Sequence, residues 1–125
     1  VRIVRESINF ERYKDPLKSL KIGMKDQFDE FKKDHQFSKN TSHNWMLAQA
    51  ILEERYDIIN YILDVLKADV NGGNNYALMT AANIKDVEMC KFLIEKGANL
   101  KETIDLLDEE DTDRAKRISN FLKGI

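Results

Sequence analysis

Residues 76–99 constrain the fold more than any other stretch. They read as two short amphipathic segments around a polar break. Leu78, Ala81 and Ala82 recur at helical spacing and predict a helix over about 77–84. Lys85 and Asp86 predict a tight turn. Val87, Cys90, Phe92, Leu93 and Ile94 predict a second helix, which Gly97 ends at a position suited to positive φ. Neither helix can bury its apolar face alone, so the pair requires stacked neighbours.

The upstream sequence supplies one. Trp45 aligns with Tyr76, Leu47 with Leu78, Ala50 with Ala81, Tyr61 with Phe92 and Leu63 with Ile94. The offset is 31, the constant difference between those residue numbers. Ala68 and Asp69 align with Ala98 and Asn99 only after a one-residue slip. This copy spans about 43–71. Its first helix carries Trp45, Leu47, Ala50 and Ile51, and its second carries Tyr56, Ile58, Ile59, Ile62, Leu63 and Leu66. Between the copies, residues 70–75 are rich in Gly and Asn, which permit positive φ in turns.

Residues 100–125 predict a shortened third copy. Ile104, Leu106 and Leu107 supply a first helix, and 108–113 an acidic connection. Asp111 or Thr112 caps the last helix, which carries Ala115, Ile118, Phe121 and Leu122. Its polar residues, among them Arg114, Lys116, Arg117 and Lys123, suit the outer face of a terminal unit.

Residues 1–42 are different. Residues 1–13 alternate weakly and predict a strand or an extended arm. Asp15 and Pro16 open a short helix that Gly23 stops. A second helix is predicted over about 25–35, with Phe28 and Phe31 on one face, and 36–42 is loop-like. The chain therefore divides into an N-terminal arm with capping helices, 1–42, and a helix-pair array, 43–125.

Leu78, the Ala81 and Ala82 pair, Glu88, the Phe92 and Leu93 pair, and Gly97, Ala98 and Asn99 resemble an ankyrin repeat. The pattern departs at Tyr76 and Ala77 (for Thr and Pro), at Met79 (for His) and at Lys85 and Asp86 (for Gly and His). The resemblance covers roughly 43–124. It implies an all-α fold, a short stack of two to three ankyrin-like helix pairs preceded by the arm and one or two helices. It also implies a non-catalytic protein-binding module with a concave face built from inter-repeat turns and the first helix of each pair. The partner-binding residues it points to are His43, Trp45, Gln49, Asn74, Asn75, Tyr76, Met79 and Asn83, with Ala48, Leu52 and Thr80 on the same face. Trp45 and Tyr76 have a second reading as partly core residues. Glu6 to Arg12, then Asp15, Pro16, Ile22 and Gly23, resemble an opening segment of small bacteriophage proteins. That resemblance implies a phage-encoded modulator of a host or defence protein; a plain structural arm is the alternative.

Composition removes other classes. Charged residues make up 34% of the 125, with a net charge of −2, unlike a strongly basic nucleic-acid binder. The single cysteine, Cys90, excludes an internal disulfide and suits a reducing compartment. No apolar run is long enough to span a membrane. No signal peptide is visible, so a cytoplasmic location is expected, in a host cell if the chain is phage-encoded. His35 and His43 are too far apart for a helix-face metal pair and are read as surface residues. Cys90 is read as a buried, inert thiol. The acidic run 108–113 lacks the spaced ligands of a calcium loop and is read as complementing the dipole of the last helix. Gly72 and Gly73 lack the Lys and Ser or Thr of a phosphate loop. No catalytic set, cofactor site or metal site is expected. Two other classes stay open: nucleic-acid association through the basic residues Arg2, Arg5, Arg12, Lys14, Lys18 and Lys21, and self-association of a short array.

Overall fold

The computed structural model describes residues 24–125. The expected arm and the helix opened by Asp15 and Pro16 lie outside the described residues. The described secondary structure is entirely helical: α1 (Met24–Asp34), α2 (His43–Leu52), α3 (Tyr56–Asn60), a π-helical turn (Tyr61–Val65) continuing α3, α4 (Gly72–Asn83), α5 (Val87–Glu95), α6 (Leu100–Glu110) and α7 (Asp113–Lys123). The helices pair as α2 with α3, α4 with α5 and α6 with α7. α2 packs beside α4, α4 beside α6, and α7 also leans on α4. This is the expected all-α stack of ankyrin-like helix pairs.

Local chemistry explains the helix starts. Ser42, Asp86, Asn99 and Thr112 are N-caps, their side-chain oxygens accepting from the amides of Trp45, Met89, Glu102 and Ala115. Each such cap is worth about 1 kcal/mol. The apolar faces then meet in one core. Ile51, Ile58, Ile59, Ile62, Leu78, Met89 and Leu93 are fully buried. Tyr56 of α3 meets Phe92 of α5 edge-to-face, with ring centroids 4.9 Å apart. Lys96 reaches Asp64 at 2.7 Å, tying the ends of the same two outer segments. α1 covers the open side of the first pair, with Phe28 and Phe31 buried and Phe28 stacked on Tyr61 at 4.8 Å.

The π-helical turn explains the one-residue slip in the sequence. Among the backbone bonds that close the second copy's last helix, one runs from Ala98 N–H to the Leu93 carbonyl. In the first copy the equivalent bond runs from Ala68 N–H to the Ile62 carbonyl, one residue further, and Leu66 N–H reaches the Tyr61 carbonyl. The wider turn takes up the extra residue. Lys67 then holds a left-handed φ of 59°, where the second copy has Gly97 at 105°. A side chain there costs about 1–2 kcal/mol that glycine avoids.

Three expectations need correction. Val87 is 43% exposed and does not join the buried face of α5; Met89 does. Asp86 caps the helix, so Val87 is its first residue and points outward before the first turn closes. Residues 108–110 are not a connection but the last turn of α6. Their charges therefore sit at a helix C-terminus, where the dipole opposes them. Asp108 is offset by Ser119, whose hydroxyl donates at 2.6 Å, and by Lys123 at 3.3 Å, and these hold its carboxyl below the usual range. Asp111 adopts a left-handed turn and pairs with Lys116 at 3.1 Å.

The third correction is His35, which is half-buried and not a free surface residue. Its ring packs between Phe31 and Phe37. Nδ1 meets the Phe31 carbonyl at 2.8 Å and Nε2 meets the Glu53 carboxylate. Both partners are acceptors, so only the imidazolium satisfies both contacts. Burial opposes that charge, but the two acceptors outweigh it and the pKa is raised. A raised folded-state pKa gives stability that is complete below the ordinary histidine range and is lost as pH rises through the folded value. His35→Ala is therefore expected to cost up to about 1 kcal/mol near pH 5.5 through the lost pair. The part of its cost that comes from the pair should fade by pH 8.5. Urea titrations of both proteins at the two pH values test this; a gap that widens with pH would refute it.

Candidate partner-binding face

The face begins with an unusual turn. Gly73, Asn74 and Asn75 all lie in the left-handed region, at φ of 65°, 58° and 64°, before α4 turns right-handed at Tyr76. L-residues rarely hold this conformation in succession. Gly and Asn tolerate it best, which is why this tripeptide can form here. Gly72 lets the Asn44 side chain lie against the turn: a Cβ there would stand 2.6 Å from Oδ1 of Asn44 and would make that side chain move.

Asparagines fix the turn to its neighbours. Asn71 Oδ1 accepts from the Asn99 amide at 2.8 Å, and its Nδ2 donates to the Gly97 carbonyl at 3.1 Å. Asn75 Nδ2 donates to Glu102 at 3.3 Å, and Asn99 Nδ2 approaches the other oxygen of the same carboxylate at 3.5 Å. The two inter-helix-pair turns thus share one polar network. Asn71 and Asn44 were not singled out by sequence. The Gly pair beside Asn71 was the available signal, because a tight turn needs something to hold it.

Along α2, Trp45, Gln49 and Leu52 follow one face at helical spacing. Along α4, Tyr76, Thr80 and Asn83 do the same. Each residue of one set stands 31 positions from its counterpart, so the outward residues repeat in the same register as the core. Trp45 is 46% exposed and Tyr76 40% exposed, which favours their reading as surface residues over core residues. Leu52, Asn74 and Asn83 are exposed, and His43 is exposed at the first position of α2. Thr80 donates to the Tyr76 carbonyl at 2.8 Å.

The remaining positions sit deeper. Asn75 is 1% exposed, held under the left-handed turn, and its Oδ1 has no hydrogen-bond partner among the described residues. Ala48 is also buried, and Met79, 31 positions on, is half-buried against the core. The structure thus places His43, Trp45, Asn74, Tyr76 and Asn83 at the surface, leaves Gln49 half-buried, and puts Asn75 beneath the surface.

Cys90 is buried, and burial, with the Asp86 carboxylate adding to it, pushes its thiol up to about 12, which keeps it protonated and unreactive. Among the described residues, no group of three or more His, Cys, Asp or Glu side chains could hold a metal ion, and no helix is long and apolar enough to cross a membrane. Neither a curated protein nor a solved structure matches the chain. Residues 73–105, from the left-handed turn through α5 into α6, match the family model of the ankyrin repeat, and this match supports an ankyrin-repeat protein.

Proposed function

We propose that this chain is a non-catalytic module that binds another protein through the face carrying Trp45, Gln49 and Leu52 on α2 and Tyr76, Thr80 and Asn83 on α4. The observation that carries this reading is the exposed aromatic pair. Trp45 and Tyr76 are large side chains held in solvent at equivalent positions of adjacent helices, and such residues dominate binding energy when a partner covers them. Residues 1–42 serve as a cap on the array of 43–125 in this reading, a role supported by Phe28 and Phe31 lying against α3 and the π-helical turn. The narrower reading, a phage-encoded modulator of a host or defence protein in the cytoplasm, rests on the resemblance of the opening segment alone.

Affinity purification from the source cell, followed by mass spectrometry, tests the proposal. The double variant Trp45→Ala with Tyr76→Ala is expected to weaken capture of the partner about 30-fold or more, as two hot-spot truncations would. Its stability should fall by only about 1 kcal/mol per site, because neither side chain is part of the buried core. A partner captured equally by wild type and the double variant would remove this face from the reading.

A further inference from the structure

A second surface stands apart from the aromatic pair. The turn joining α4 to α5 and the first turns of α7 enclose a cleft of about 50 Å³, lined by Ala82, Asn83, Lys85, Arg114, Arg117 and Ile118. Three of these six residues are cations and none is an acid. Lys85, Arg114 and Arg117 make no side-chain hydrogen bond or ion pair with a described residue. Elsewhere many cations are engaged: Lys25 with Asp29, Arg55 with Asp57, Lys96 with Asp64, Lys116 with Asp111 and Lys123 with Asp108. Of the acids near the cleft in sequence, Asp86 caps α5, Asp108 takes Ser119 and Lys123, Asp111 takes Lys116 and Glu110 accepts from the Thr112 hydroxyl, while Asp113, next to Arg114, is exposed. The cleft floor is apolar, formed by Ala82 and Ile118, both buried. Ile84 and Val87, on the same turn as Lys85, are exposed apolar side chains.

We propose that this cleft receives a carboxylate side chain from an acidic, partly apolar segment of the protein partner. The proposal rests on the protein-binding reading above and adds the chemistry of one contact. Two arginines three residues apart on a helix present adjacent planar guanidinium groups, which suit a carboxylate. The cleft has room for a head group of that size. Ile84 and Val87 give the flanking residue an apolar surface. A nucleic-acid track fits less well. Glu109, Glu110 and Asp113 are exposed where α6 ends and α7 begins, so a continuous polyanion running past Arg114 would meet repulsion there. A short segment with one or two acids would not.

The test uses the full chain labelled with ¹⁵N and the synthetic peptide acetyl-Leu-Glu-Asp-Leu-amide, with acetyl-Leu-Gln-Asn-Leu-amide as its uncharged counterpart. The expected result is saturable shifts of the Arg114 and Arg117 Nε–H signals with the acidic peptide. Its affinity should fall at least tenfold on going to 0.5 M salt and at least tenfold in the variant Arg114→Gln with Arg117→Gln. The uncharged peptide should give no shifts at these signals. Equal response to both peptides would overturn the proposal, and so would arginine shifts produced as strongly by inorganic phosphate alone. Shifts confined to Trp45 and Tyr76 would overturn it while leaving the aromatic face in place. Once a natural partner is in hand, a second arm separates the two readings. Loss of capture in the Trp45 and Tyr76 double variant, with full capture by the arginine variant, would end the cleft proposal alone.

Discussion

Phe92→Ala is expected to lower the unfolding free energy by about 3–5 kcal/mol. Phe92 is buried, and its ring stands edge-to-face on Tyr56 at 4.9 Å and 83°. The two rings belong to different helix pairs, so their contact is a bond between repeats and not within one. In a stacked array, stability is roughly the sum of unit and interface terms, and each unit is unstable alone. Truncating Phe92 removes a large apolar surface, leaves a void beside Tyr56, and takes away the ring over which Lys96 lies at 5.7 Å. Urea unfolding should show a large fall in midpoint. A cycle built from Tyr56→Leu and Phe92→Leu should return a coupling of about 0.5–1.5 kcal/mol, the part that belongs to ring geometry and not to burial. A Phe92→Ala loss under 1 kcal/mol would mean the outer helices do not meet as described.

Gly73→Val is expected to cost about 2 kcal/mol or more, because a β-branched residue at a φ of 65° meets the strain that L side chains suffer in the left-handed region. Gly73→Asn should cost far less, since Asn tolerates that region and already holds it at the next two positions. Gly72→Ala provides the contrast. Its new Cβ would approach Oδ1 of Asn44 at 2.6 Å, but that atom ends a flexible side chain that can swing away. The expected order of destabilisation is therefore Gly73→Val, then Gly72→Ala, then Gly73→Asn. Thermal unfolding of the three variants checks it. A Val variant as stable as wild type would show that the turn does not need three left-handed residues. The turn carries Asn74 and leads into Tyr76, so partner capture should weaken along with stability.

Helices were legible because their signal is local. The recurrence of Leu78, Ala81 and Ala82 and the offset of 31 gave the pairs, and Phe28 and Phe31 gave α1. What escaped depends on contacts that sequence spacing does not carry. His35 and Glu53 are 18 positions apart and meet only because α1 folds back on the first pair. Asn75 is polar, sits in a turn and was expected at the surface, yet the left-handed path turns it inward to Glu102. Val87 lies off the buried face, and Met89, which carries no sequence expectation, lies on it, because the Asp86 cap fixes where α5 starts. Residues 108–110 of the acidic run belong to α6, while Thr112 and Asp113 do start α7 as expected. The run's charges favour a helix start, but Ser119 and Lys123 reach back from α7 and hold Asp108 at a helix end. Of the outward face, Trp45 and Tyr76 were readable as large residues out of pattern, while their exposure was not.

The widened turn over Tyr61–Val65 bears on how such a chain can change over generations. A residue inserted into a helix swings everything after it by about 100° around the axis, which would turn the next buried stripe to the water. Here the surplus residue is spent within one loosened coil, and the chain emerges with α4 and α5 facing as they would have without it. An array of this kind can therefore gain or lose single residues inside its helices and keep its stack. Spacing counted along the gene and spacing measured through the solenoid are then separate traits, free to drift apart in one lineage while the shape persists.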